Sequence, residues 1–287
     1  MKFVVSMSFN KVDELIPLAI AAEQAGFEGI TFSDHVVHPE TINTPYPYTD
    51  DGSRRWDAYT DWPDPWVAIS ACAAATTTLR LTNNVFVLPL RNPFFAAKAI
   101  STAAVMSNNR VTLTVGVGWS SDEYGLMQQE FKTRGKRCDE MIEIMKKLWT
   151  GEMVNHDGPH YQFDNLEMNP APSEPIPIWV GGISKAAHKR AARNDGWLSD
   201  LQPSAEIIQT IEDIQGYRKE IGRDHLPFDV MASASDAWDI NGYKHLEDNG
   251  VTHVLTMPWA FYAGPNPSLQ ERIDGINRFA EDVLHKM

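Results

Sequence analysis

The stretch GFEGITFSDHVVHP, residues 26 to 39, ends an apolar run on an acid and a histidine, Asp34 and His35. An imidazole titrates close to neutral pH, so at a strand end His35 can give or take a proton for a bound substrate. A hydrogen-bonded loop histidine is the other use of the same residue. Asp34 beside it can set the tautomer of the ring or cap the following turn. A second stretch, PIWVGGISKAAHKRAA, places Gly181 and Gly182 before Ser184. Glycines let a backbone come close to a ligand, Ser184 can cap the next helix, and free amides at a helix start attract phosphate. An ordinary capped glycine turn would carry the same letters.

In TVGVGWSSDEY, Gly116 and Gly118 form G-x-G with no third glycine at the dinucleotide spacing. Two glycines at a strand end suit a flat ring lying on the backbone. Glu123, in the turn that follows, reads as a helix-capping acid. NNVFVLPL sets Asn83 and Asn84 inside an otherwise β-branched run, which points to a bulge that re-aims nearby groups. HDGPH, His156 to His160, lacks a third ligand at suitable spacing, so no metal is expected. There is no G-x-S-x-G nucleophile elbow. Asp34, Glu123 and Asp200 leave open a hydrolase with paired carboxylates. The aromatic run RRWDAYTDWPDPW reads as a packed lid, with a pocket lining as the alternative.

The elements that must position these residues alternate along the chain. KFVVSMSF, EGITFSD, LRLTNNVFVLPL, RVTLTVGVGW, IPIWVGG, WLSDL, FDVMASAS and VTHVLTMP read as strands, with helical periodicity between them. Such a run in 287 residues predicts an α/β fold, a TIM (β/α)8 barrel. A doubly wound sheet would show glycines at its first βα turn, and SMSFNKVDE has none. We expect a single domain over 1–287, with insertions after strands 2 and 4: a lid-like loop at 38–64 and an excursion at 152–170. In a barrel of this kind the chemistry sits at the carboxyl ends of the strands, where these candidates fall.

Bulk properties narrow the partners. The net charge of −13 argues against nucleic acid, so any phosphate must be gripped locally. No apolar run reaches the roughly 20 residues of a membrane span, and MKFVVSMSF lacks the pattern of a signal peptide. Cys72 and Cys138 lie in helical stretches and read as buried thiols, consistent with a reducing, cytoplasmic setting.

SDH, the block DPWVAISACAAATTTLRLTNNVFVLPLRNPFFAAKAISTAAVMSNNRVTLTVGVGWSSDEY, and PIPIWVGGISKAAHKRAARNDGW together resemble the luciferase-like monooxygenase superfamily. The nearest branch is that described as probable coenzyme F420-dependent oxidoreductases. The resemblance covers nearly the whole chain, and the long central block carries its specificity. It implies a barrel holding coenzyme F420, or alternatively FMN, at its mouth. It implies hydride transfer between reduced F420 and a small organic substrate. The FMN alternative is a two-component monooxygenase fed by a partner reductase. Asp34 and His35 match the pair near the reactive face. Asn83, Asn84 and Val85 match a bulge with a non-prolyl cis peptide behind the ring. Gly116, Gly118 and Glu123 match positions around the cofactor, Gly181, Gly182 and Ser184 the phosphate turn, and Trp197 the tryptophan of an ADGW motif written here as NDGW. Arg54, Arg55 and Arg91 could meet the polyglutamate tail of F420. The resemblance also implies a homodimer.

Overall fold

A computed structural model describes residues 1–287. Its strands are β1 (Lys2–Ser6), β2 (Gly29–Phe32), β3 (Arg80–Asn83), β4 (Phe86–Val87), β5 (Leu113–Gly116), β6 (Val154–Asp157), β7 (Gln162–Leu166), β8 (Ile178–Gly181), β9 (Gly196–Gln202), β10 (Asp229–Ala234) and β11 (His253–Thr256). All except β6 and β7 join one parallel sheet in the order β3-β2-β1-β11-β10-β9-β8-β5-β4. The sheet curls shut: Leu81 donates its N–H to Arg110 O at 3.0 Å and accepts from Thr112 N–H at 2.9 Å. β3 and β4 are halves of the expected third strand, parted at the Asn84–Val85 peptide, which is cis. Counting them as one stave gives the TIM-type barrel.

The helices are α1 (Leu15–Gln24), α2 (Pro65–Ala75), α3 (Pro93–Met106), α4 (Ser121–Leu126), α5 (Arg134–Leu148), α6 (Lys185–Ala192), α7 (Ser204–Glu220), α8 (Ile240–Asp248) and α9 (Leu269–Asp282). Local chemistry starts several of them. Asp64 accepts from the amides of Trp66 and Val67 with Pro65 at the first helical position, and Asn92 with Pro93 repeats the device. No helix is long and apolar enough to cross a membrane.

Side-chain alternation divides the sheet between two cores. Ile30, Leu81, Leu113 and Val115 face the helices in the main cluster. Val4, Trp179, Leu198, Met231 and Leu255 face inward and form a second. The opposite inner wall is polar: Thr31, Thr82 and Thr114 are buried, and the hydroxyls of Thr82 and Thr114 lie 2.8 Å apart. Cys72 and Cys138 are free and buried, and burial pushes both thiols up to about 12. Thiols held protonated in this way are inert packing groups.

Two connections stand out. Residues 33–64, between β2 and α2, contain neither helix nor strand, and β6 with β7 forms an antiparallel hairpin between α5 and β8. HDGPH is the turn of that hairpin. Glu140 of α5 accepts from the amides of His160 and Tyr161 at 3.1 and 2.9 Å, and its carboxylate lies 3.1 Å from His156 Nε2. These histidines seat the excursion on α5.

Glu23, in the last turn of α1, closes the opposite end of the barrel. Burial acts to raise its carboxyl, but the amides of Thr78, Thr77 and Leu79 and the Thr78 hydroxyl outweigh this and hold it at about 2. A carboxyl depressed from 4.5 in the folded state adds stability above its unfolded value and loses it as pH falls toward about 2. Glu23→Gln should therefore lower the melting temperature at pH 7, and the gap from the parent should shrink at pH 3. A gap that is constant between the two pH values would rule out this role.

Candidate active site

His35 follows β2 directly and turns over the barrel mouth. Its Nδ1 lies 3.3 Å from Glu123 Oε2, while Nε2 makes no hydrogen bond to protein. The other oxygen of Glu123 accepts from the Val36 amide at 3.1 Å. Glu123 is the third residue of α4, and Ser120 Oγ caps its amide at 3.2 Å. Its backbone is therefore what is capped, and its carboxylate reaches back to His35. This corrects the expectation of a capping acid.

Asp34 does not orient His35. Its Oδ2 accepts from Arg91 at 2.5 Å and from the Val87 amide at 2.8 Å, and its Oδ1 accepts from the second Arg91 nitrogen at 2.7 Å. Burial pushes the carboxyl up, while Arg91 and the amide pull it the other way. Asp34 is thus a clamp that holds β4 against the end of β2. Arg91 is consumed in the clamp, and Arg55 makes a two-point pair with Asp200 at 2.9 and 3.0 Å. Neither is free for an anionic tail. The three carboxylates proposed for a hydrolase each face a separate basic partner, Arg91, His35 and Arg55.

The floor of the mouth is built around Val85. A Cβ on Gly116 would lie 2.2 Å from Val85 Cγ2, and one on Gly181 would lie 2.3 Å from Val85 Cγ1. These glycines are required by a valine side chain pressed between two strands, whatever lies above. Gly118 and Gly182 adopt φ of +67° and +124°, where an L side chain is strained. Trp197 does not face the mouth: it is fully buried and donates from Nε1 to Gly182 O at 3.1 Å, bracing the turn from behind. Alternation along β3 turns Asn83 toward the helices, where it is fully buried and its amide has no protein partner. Past the turn, Ser184 caps α6 by accepting from the Ala187 amide at 3.2 Å. The amides of Lys185 and Ala186 have no carbonyl of their own helix to meet. With positive-φ Gly182 beside them, they form a cradle that suits a phosphate.

Sequence reasoning did not find how the long connection closes over His35. Trp56, Trp62 and Trp119 surround the imidazole with ring centroids 4.6, 5.0 and 6.4 Å away, and Tyr46 packs on both Trp56 and Trp119 at 5.2 Å. Three acids anchor the loop: Asp122 to Asn43 and Thr44, Asp200 to Arg55, and Asp61 to the Val12 amide. The tryptophan-rich run hinted at the lid. The matching of its polar residues to Asp122 and Asp200 is visible only in three dimensions.

The α/β barrel is that of an oxidoreductase or monooxygenase family. The luciferase-like monooxygenase family model matches residues 2–241, and the chain belongs to that family. An uncharacterized protein of Mycobacterium tuberculosis is 37% identical over 290 residues and 100% of both chains. An F420-dependent glucose-6-phosphate dehydrogenase of Segniliparus rotundus is 30% identical over 251 residues, which cover 85% of this chain and 70% of that one. Among solved structures, an F420-dependent secondary alcohol dehydrogenase in complex with an F420-acetone adduct has the same fold. Its TM-score is 0.77, with 16% identity and coverage of 99% and 98%.

Gly116→Ala should cost about 2 kcal/mol, within the usual range for overpacking. Adding Val85→Ala should restore most of that loss. Urea unfolding of the two single variants and the double variant tests the contact, and simple additivity would acquit Val85 as the obstacle.

Proposed function

We propose that this enzyme transfers a hydride between reduced coenzyme F420 and a small organic substrate at the barrel mouth. The observation that carries the proposal is the His35–Glu123 pair: one ring nitrogen is held and the other is free. The residues present fit a phosphate-bearing ring cofactor. The Gly182–Ser184 turn and the first amides of α6 would hold its phosphate, and the floor over Val85, Gly116 and Gly181 would lie beneath its ring. The bound cofactor supplies or accepts the hydride.

The protein supplies the proton. With Glu123 accepting from Nδ1–H, the neutral ring presents a bare Nε2, a general base for alcohol oxidation. In the protonated ring Nε2–H is a donor, the general acid for reduction, and Glu123 stabilises the charge that the ring then carries. Val36 and Ser120 keep Glu123 in place, and the tryptophans exclude water from the transfer. F420 is preferred because the Segniliparus relative, similar over most of this chain, is F420-dependent.

The second reading is reduced FMN and oxygen, with a reductase as partner. What favours it is the pairing of Arg55 and Arg91 with acids, which leaves few cations for a polyglutamate tail. Titration of the protein with F420 and with FMN, oxidised and reduced, separates the two. Micromolar binding of F420 with FMN ignored is the expected result, and preference for reduced FMN would move the assignment to a monooxygenase. His35→Ala should lower kcat by about 10²- to 10⁴-fold, the usual worth of general acid–base catalysis, and leave the cofactor dissociation constant nearly unchanged. Unaltered turnover would remove His35 from the chemistry.

A further inference from the structure

We infer that the end of the barrel opposite the mouth holds a second binding site, shaped for a small zwitterion whose carboxylate and ammonium are joined by a short apolar stem. Such a site needs neither the cofactor nor the reaction at His35. At the amino ends of the strands lies a cavity of about 210 Å³, well above what one water needs. This end of such barrels ordinarily serves stability rather than chemistry. Lys2 and Glu28, 3.0 Å apart in the wall of the cavity, fit that use. Arg80 and Asp229 do not.

Charge selects the ligand. Arg80 gives one guanidinium nitrogen to Asn109 O at 3.3 Å and meets no carboxylate. Asp229 meets no lysine or arginine, and its basic neighbour is His253 Nδ1 at 4.0 Å. Burial pushes that imidazole down to about 4, so at neutral pH it brings no charge. Arg80 opens β3 and Asp229 opens β10. These staves are four apart in either direction around the barrel, so the cation and the anion stand on opposite walls of the cavity. A simple anion would meet Arg80 and leave Asp229 unmatched, and a simple cation would do the reverse. A zwitterion matches both.

Between the two charges the walls offer an apolar surface and spare polar atoms. Val4 and Trp179 supply the surface for a stem. A Cβ on Gly196 would lie 2.4 Å from Trp179 Cδ1, so the glycine of NDGW is what lets the indole lie in this wall. His253 is only 5% exposed; its Nδ1 lies 2.7 Å from Thr252 Oγ1, and its Nε2 makes no hydrogen bond to protein. The buried indole N–H of Trp179 has no acceptor either. Buried polar atoms ordinarily find partners, so two without one in the walls of a single cavity call for a guest that supplies them.

Saturation-transfer NMR on the whole chain tests the site with γ-aminobutyrate and β-alanine, and with butyrate and butylamine as single-charge controls. At least one of the two amino acids should bind. The controls should bind about tenfold more weakly, the worth of one charge-assisted hydrogen bond. Arg80→Gln and Asp229→Asn should each weaken the amino acid by about tenfold for the same reason, with an unchanged melting transition as the check on folding. Butyrate bound as tightly as γ-aminobutyrate would overturn the inference. So would binding of neither amino acid, or binding that is indifferent to both substitutions. The comparison with butyrate and butylamine is made on the parent protein, so it decides the matter even where a variant does not fold.

Discussion

The arrangement of this molecule turns on one valine. Val85 enters the barrel from the break in the third stave and fills the space that side chains on Gly116 and Gly181 would occupy. Three strands that are far apart in sequence thereby share one packing constraint. Interiors are packed densely enough that a single added methyl group is felt, so the level of the mouth's floor is set by this contact. The Asp34–Arg91 clamp secures the same break from the other side, because Asp34 also takes the amide of Val87. The residues that a reader would first credit to cofactor binding thus do structural work before any ligand arrives.

On that floor the site is assembled by division of labour between two neighbouring acids. Asp34, almost wholly buried, is matched by a two-point guanidinium and an amide, so it is fixed and silent. Glu123 holds Nδ1 of His35 and leaves Nε2 open. The two differ in what they meet: a permanent cation locks a carboxylate, whereas a titratable ring turns one into an orienter. The adjacency of Asp34 and His35 in the chain is misleading about their partnership, since neighbouring residues at a strand end point different ways.

This explains what the sequence could reveal. The barrel was legible because its signal is local and repeated: β-branched runs alternating with helical periodicity. The break at Asn84–Val85 and the glycine turn before α6 were legible because such residues advertise their backbone. Pairings across the mouth were not. Glu123 lies 88 positions from His35, and Asp200 lies 145 from Arg55, and no spacing rule connects them. The glycines were found but for an incomplete reason, because an absent side chain does not say what fills the space it leaves.

The acidity of the chain looks at first like an obstacle to any cofactor that carries phosphate. The structure resolves this by keeping field and site separate. At the ionic strength of a cell, charges more than about 8 Å apart are largely screened from one another. The net charge of −13 therefore governs solubility and encounter more than the bound state. A phosphate at the start of α6 would meet a set of amides with no acid of that turn among them, since Lys185 and Ala186 follow Ser184 directly. Around His35 the carboxylates are closed off by Arg91, Arg55 and the imidazole itself. An acidic protein can in this way present a mouth with one end that attracts an anion and a centre that is electrically quiet. The hydride transfer proposed above would use that combination, because the charge that develops there would be the one that His35 is proposed to neutralise.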